Sequence, residues 1–397
     1  MKIAIISNEF PPLMSSGSVQ VRDLANDFVE LGHEISVFTS TYGQDEDLKI
    51  ESSKNLRILR FRSLKTKEIN YFKRTINEIL TPYMMLSIIK KSSIAYEKYD
   101  AVIWYSPTIF LSPIASYIKK VSECPGYLIL RDIFPDWAVD TGIIGKGLPY
   151  LILKIFEKYQ YYVADIIGVQ AKGNLAYFKR YIRKGKTKIE VLNNWLSHSG
   201  KKISSIEVSK TSLFGRKIFI YAGNMGVAQG IDILFELVLN LRDRKDIGFL
   251  FVGRGSEMER FREDPIFKSL DNVLFFDQID ADEIPSLYSQ CDVGMLSLDV
   301  RHKTHNIPGK FLSYIASGLP VLASVNPGND IINLINSSRT GQVIDDGCPK
   351  NLTNQAIEII KFLDDDKIKE RCTNLSKKLF QPRAASKQII NSINNIK

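Results

Sequence analysis

PGKFLSYIASGLPVLASVNPGND, residues 308–330, is the stretch on which the fold turns. Pro308 and Gly309 make a turn, KFLSYIAS reads as a short helix, Gly318 ends it, and Pro320 opens the buried strand PVLAS. NPGND is another tight turn that opens a further helix. Helix, short turn and apolar strand in that order form the repeating unit of a parallel α/β sheet. Lys310 stands on the first helical turn, where unpaired N–H groups carry partial positive charge. A cation is unfavourable there unless an anion shares the site, and a phosphate at the helix start resolves the conflict. The competing reading is a solvated surface lysine.

The same rhythm runs through the 397 residues. KIAIIS, GHEISVFTS, DAVIWYS, GYLILRD and DIIGVQ read as buried strands of a first α/β series. KIFIYAG, IGFLFVG, VLFF, DVGMLSL, PVLAS and GQVID read as the strands of a second. Between them LSHSGKKISSIEVSKTSLF has little periodicity and many Ser and Lys. The expected organisation is a domain at 1–197, a linker at 198–214, a second domain at 215–375 and a helical tail at 376–397 that packs back on the first. Two parallel-sheet domains facing across a cleft place ligands at the C-terminal ends of strands.

Several strand-to-helix turns carry chemistry. YAGNMGVAQGIDIL has Gly223, Gly226 and Gly230, which allow a backbone to approach a diphosphate. Its spacing is not G-x-G-x-x-G, so a dinucleotide-dependent oxidoreductase is poorly supported. FVGRGSE sets Arg254 between Gly253 and Gly255, and NEFPPLMSSGSVQ puts Gly17 at a helix start. LRDIFPDWAVDTG follows a strand, with Asp132 nearest its end and Asp136 and Asp140 beyond. A carboxylate there orients an acceptor hydroxyl or takes its proton; the plain alternative is an Asp that caps a loop.

Composition narrows the classes. Hydrophobic residues make up 44% and charged residues 24%, an ordinary globular balance. The net charge of +9 suits an anionic partner. From Lys54 to Arg74 there are eight Lys or Arg and one acid, and from Lys179 to Lys188 six and none. The first run leads into YFKRTINEILTPYMMLSIIKK, which suits either an anionic membrane surface or a core helix with solvated lysines. Cys124, Cys291, Cys348 and Cys372 show no metal-ligand or C-x-x-C spacing. The start is not a signal peptide and no run of 18 apolar residues exists, so the expected place is the cytoplasm or the inner face of a membrane.

Taken together these stretches resemble the retaining glycosyltransferases of the large nucleotide-sugar family 4, which have two Rossmann-like domains, the GT-B fold. The resemblance rests on FPPLMSSGSVQVRDLANDFVELGHEISVFTS, FEKYQYYVADIIGVQ, IEVLNNW, YAGNMGVAQGIDIL, FLFVGRG, YSQCDVGMLSL and the opening stretch. RDIFPDW, YAGNMGVAQG and IPGKFLSY with NPGND look like the N-acetyl-L-fucosamine transferases of O-antigen and capsule synthesis. The resemblance implies a UDP-sugar donor, a polyprenyl-diphosphate-linked saccharide acceptor, no metal and no other cofactor. It implies Asp132 and Lys310 as catalytic residues. It implies donor contacts from Gly17, Gly223, Asn224, Arg254, His305, Pro308, Gly309, Ser313, Asn326, Gly328, Asn329 and Asp330.

The departures are specific. The wider family carries Glu, seven residues, then Glu, where this chain has His305 and Ser313. It also carries Arg and Lys in the glycine loop, where Asn224 and Gln229 stand. Lys310 is then the evident cation for the diphosphate, with Arg254 the weaker candidate. The rivals are an epimerase acting on a UDP-N-acetylhexosamine, with Asp132 and Asp330 as its carboxylates, and an inert nucleotide-sugar binder. A nucleic-acid binder lacks any recognition module or aromatic-basic interleaving.

Overall fold

The computed structural model describes every residue except 14, 67–68, 179–186, 197–201, 227–228, 302, 304–306 and 397, and the side chain of Tyr71. Two units emerge. The first comprises Met1–Trp195 with Pro382–Lys397, the second Leu196–Gln381.

The first unit contains β1 (Lys2–Ile6), β2 (Glu34–Tyr42), β3 (Leu48–Ser53), β4 (Leu56–Ser63), β5 (Ala101–Ser106), β6 (Gly126–Leu130), β7 (Ile166–Val169) and β8 (Lys188–Val191). They form one sheet in the order β3-β4-β2-β1-β5-β6-β7-β8. All neighbours are parallel except β3 and β4. The expected all-parallel sheet therefore carries an antiparallel edge. LKIESS of β3 is polar because an edge strand meets water, which hid it from an apolar-run reading. The basic run from Lys54 enters β4, where Arg57 pairs with Glu97 and Arg60 with Glu51. These cations are tied into the fold. Most of the run at 179–188 lies outside the described residues.

The second unit contains β9 (Lys217–Asn224), β10 (Ile247–Arg254), β11 (Val273–Asp277), β12 (Val293–Ser297), β13 (Val321–Ser324) and β14 (Gly341–Ile344), in the order β11-β10-β9-β12-β13-β14. Every described pairing in it is parallel. Strand order reverses between β9 and β12, so their C-terminal ends border a topological switch point. Glycines bring these ends together. A side chain at Gly230 would meet the Asp299 backbone, the nearest atom 2.9 Å away. One at Gly253 would run into the Gly223 carbonyl.

Two expected boundaries differ. Of the stretch read as a linker, 202–214 is built into the second unit, because Ile206, Val208 and Leu213 are buried in its core. Gln290 fixes them in place: its Oε1 accepts from Val208 N at 2.9 Å and its Nε2 donates to the Ile206 carbonyl at 3.1 Å. The tail divides at Pro382, not 376, since Phe380 is wholly buried in the same core. Its last helix, Pro382–Asn394, lies on the first unit, with Ala385, Ile389 and Ile393 packed among Ile3, Val21 and Phe28.

The helix Gly309–Ala316 owes its placement to one side chain. Tyr314 is fully buried; its hydroxyl accepts from Ala222 N and donates to the Ile220 carbonyl, each at 3.3 Å. Its ring lies flat over Gly294, where a Cβ would come within 2.4 Å. Gly294→Ala should therefore overpack this contact and cost about 1–3 kcal/mol. Urea unfolding measured on the variant checks that value, and an unchanged midpoint would show that the helix is placed by other contacts.

Candidate functional site

Residues four apart share a helix face, so the anchoring of Tyr314 also aims Lys310. Lys310 Nζ lies 4.8 Å from the centroid of the buried Tyr221 ring. It also lies beside Gly223, where a Cβ would be 3.2 Å from Nζ and 3.0 Å from Cε. Only a residue without a side chain leaves room for the lysine stem there. Gly223 has φ +125°, a conformation that favours glycine. Among the described residues no carboxylate pairs with Lys310, and burial draws its pKa down to about 8 from an ordinary 10.5. The helix behind it starts at Pro308 with no side-chain cap and no acid in its first turn. A desolvated ammonium and uncapped helix N–H groups thus meet at the switch point. The combination suits an anion.

The neighbouring loop is tied to itself. Gln229 Oε1 accepts from Gly226 N at 2.9 Å and from Asn224 Nδ2 at 3.3 Å. Asn224, exposed, is paired across the ladder with Arg254, whose side chain is also exposed. Ser313 is half-buried one turn along from Gly309. His305 lies outside the described residues. Within the NPGND turn two asparagines bond each other and the next helix. Asn329 Nδ2 donates to Asn326 Oδ1 at 2.8 Å, and Asn329 Oδ1 accepts from Ile331 N at 3.1 Å, capping the helix Asp330–Ser338. Gly328 makes the turn with φ +72°. Both asparagines are buried, so their amides build the turn, and Asp330 sits at the capped helix start.

The first unit gathers its own group at the ends of β1, β5 and β6. Gly17 is buried at the start of the helix Ser16–Glu30, and a Cβ there would collide with the Glu9 carboxylate. That helix start already faces a carboxylate of the protein, and Ser15 caps it by accepting from Ser18 N. Asp132 is half-buried just after β6. Desolvation raises its pKa to about 6; the Arg131 charge opposes this and the Glu9 charge adds to it. Arg131 is buried over the Trp195 ring, 4.6 Å from its centroid, and donates to Gln20 Oε1 at 3.1 Å and to Asn194. Asp136 is instead a structural ion, held by Tyr150, Tyr177 and Lys154.

The structure thus brings Gly223, Pro308, Gly309, Lys310 and Ser313 together in the second unit, and Gly17 and Asp132 near Glu9 in the first. Reading the sequence alone missed Tyr221, Tyr314, Glu9 and Arg131. The two tyrosines lie within buried runs and read as core. The Lys310 to Tyr314 spacing of four was the available signal.

Residues 216–361 match the family described as Glycosyl transferases group 1. The matched residues lie within the second unit, Leu196–Gln381. Two curated proteins are similar. The probable glycosyltransferase WbjE of Pseudomonas aeruginosa is 22% identical over 231 residues. The putative colanic acid biosynthesis glycosyl transferase WcaI of Escherichia coli (strain K12) is 24% identical over 232. Each alignment spans 56% of this chain and 56% of the relative, a little over half of either length. In fold the chain resembles sucrose-phosphate synthase from Thermosynechococcus elongatus, with TM-score 0.73 and 17% identity over 100% of this chain and 98% of that one. It also resembles an E. coli structure described as trehalose-6-phosphate bound with UDP-2-fluoro glucose, with TM-score 0.73 and 12% identity over 99% of each. The likeness is one of fold: two α/β units with Rossmann-like sheets, of the GT-B class.

The depressed pKa of Lys310 gives a pH signature. A diphosphate beside the ammonium favours its charged form, so binding is strongest where Lys310 is protonated. UDP affinity should be flat below pH 8 and fall by up to about tenfold per unit above it. Lys310→Met should flatten that fall; calorimetry from pH 6.5 to 9.5 measures both. An alkaline fall that persists in the variant would assign it to another group.

Proposed function

We propose that the protein is a retaining, metal-independent glycosyltransferase that moves an N-acetylated deoxyhexosamine from a UDP-sugar to a polyprenyl-diphosphate-linked glycan. The observation that carries this reading is the uncompensated Lys310 ammonium at an uncapped helix start beside Gly223. That arrangement stabilises a departing diphosphate without a bound cation. The bond from the anomeric carbon to the diphosphate oxygen breaks, and positive charge builds on the sugar as an oxocarbenium. The acceptor hydroxyl attacks from the face of departure, and Asp132 is assigned to hold that hydroxyl and take its proton. UDP as the nucleotide is supported by the UDP-2-fluoro glucose of the E. coli structure, and a polysaccharide acceptor by the colanic acid relative. N-acetyl-L-fucosamine as the sugar is supported by RDIFPDW, YAGNMGVAQG and IPGKFLSY.

The test is nucleotide release. The purified chain is incubated with UDP-N-acetyl-L-fucosamine, UDP-N-acetylglucosamine and related donors, with and without a lipid-diphosphate-linked N-acetylhexosamine. UDP release that needs one donor and the acceptor is the expected result. Tight UDP binding without release would favour an inert binder, and donor consumption without acceptor an epimerase. Lys310→Ala should lower turnover by about a hundredfold or more and leave the melting temperature intact. A near-normal rate would remove Lys310 from the mechanism.

Asp132 supplies a second test. A base must be ionised, so turnover should fall as pH drops through about 6. Asp132→Asn should abolish that acid limb together with most of the rate. Because burial raises this pKa, ionised Asp132 opposes folding at neutral pH. The variant should melt no lower than the parent at pH 8, which separates lost chemistry from lost structure.

A further inference from the structure

Exposed apolar side chains are unevenly spread. Among the described residues, eleven of the nineteen large apolar side chains that face solvent fall within 72–83 and 143–162 of the first unit. The helix Leu148–Val163 turns Leu153, Gln160 and Tyr161 inward and carries a second, outward apolar stripe. In that stripe Leu148 is 70% exposed, Ile155 66% and Tyr162 65%, with Leu151 between them. The spacing of three and four residues puts these on one face. The helix Tyr71–Lys91 repeats the pattern with Phe72, Ile76, Leu80 and Tyr83 outward. Ile79 of this helix and Leu153 and Phe156 of the other share one small apolar cluster with Ile109 and Phe110, so the two stripes flank it. A soluble surface seldom leaves so much apolar area uncovered without use.

Charge selects the occupant. On the helix 148–163 the sole acid, Glu157, is buried and paired with Lys154, and the exposed charge is Lys158. On the helix 71–91 the sole acid, Glu78, is paired with Arg74, while Lys73, Lys90 and Lys91 are exposed. Lys146 is exposed just before the second helix. An apolar face rimmed by cations, with no free carboxylate on either helix, matches the acyl chains and anionic headgroups of a bilayer. A second copy of the chain would set like charges against each other. No helix among the described residues is long and apolar enough to cross a membrane.

We propose that the outward faces of the helices 71–91 and 148–163 together dock the first unit on an anionic lipid surface, lying in the interface without spanning it. This inference goes beyond the sugar-transfer reading and does not depend on it, and its test uses no donor. Full-length protein is floated with vesicles of phosphatidylcholine alone or mixed with phosphatidylglycerol. It should float with the anionic vesicles at low salt and be released about tenfold as salt screens the headgroups. The double variants Ile155→Glu/Tyr162→Glu and Phe72→Glu/Leu80→Glu should each weaken flotation about tenfold or more. Phe214→Glu, at a side chain 71% exposed in the second unit, should float as the parent does. All three sites are exposed, and circular dichroism melting confirms that the variants fold. The proposal is overturned if the parent stays unbound, if it binds both vesicle types alike, or if the double variants float undiminished. It is equally overturned if light scattering shows a dimer that those variants split, since a second copy would then cover the face.

Discussion

Lys310 Nζ is held 4.8 Å from the Tyr221 ring centroid, beside a glycine that leaves it room, and no carboxylate among the described residues neutralises it. A desolvated ammonium in that state is costly, and the face of the Tyr221 ring offers it partial relief at most. What it does is fix the position. Tyr314 fastens the helix to the backbone of β9 and lies over Gly294 of β12, so the lysine cannot swing out with its helix. The cost is the kind an active site carries when its ligand supplies the missing charge.

The first unit shows the opposite disposition. Its corresponding helix start is closed by Ser15, and the Glu9 carboxylate occupies the space over Gly17. Arg131 is stacked on Trp195 and bonded through Nη2 to Gln20 and Asn194, while its Nε and Nη1 are buried with no hydrogen-bond partner among the described residues. What stands ready there is Asp132, a carboxyl pushed toward neutrality by burial. Cation and carboxyl are therefore prepared by the same physical effect, desolvation, in two separately built units.

All six strands of the second sheet were legible as apolar runs, because a parallel strand covered on both faces must be apolar along its length. The same rule failed for β3, whose sequence is polar because the edge of a sheet meets water. It failed at 202–214 because the five apolar residues spread among serines and lysines, three of them buried, show no period, and Gln290 supplies the order that the local sequence lacks. Lys310 was legible as a charge in the wrong electrostatic place. Its confinement was not, since Tyr221, Gly223 and Gly294 act across strands and no local pattern shows that. Asn326 and Asn329 read as ligand contacts from their place after a strand; that they also bond each other within the turn was not legible. The outward stripe of 148–163 was hidden because both faces of that helix are apolar, and sequence cannot say which face is covered.

The helix Pro382–Asn394 belongs to the first unit although the whole second unit precedes it in the chain. Ile389 and Ile393 fill a slot lined by Ile3, Val21 and Phe28, and Arg383 meets Asp27 at 2.7 Å. During synthesis the first 195 residues therefore leave the ribosome with that slot open, and it stays open while nearly two hundred more residues are made. The second unit emerges whole and is free to fold first. The earlier-born unit is the later one to be finished, and the nascent chain carries an apolar groove that the helix Pro382–Asn394 must find before another surface does.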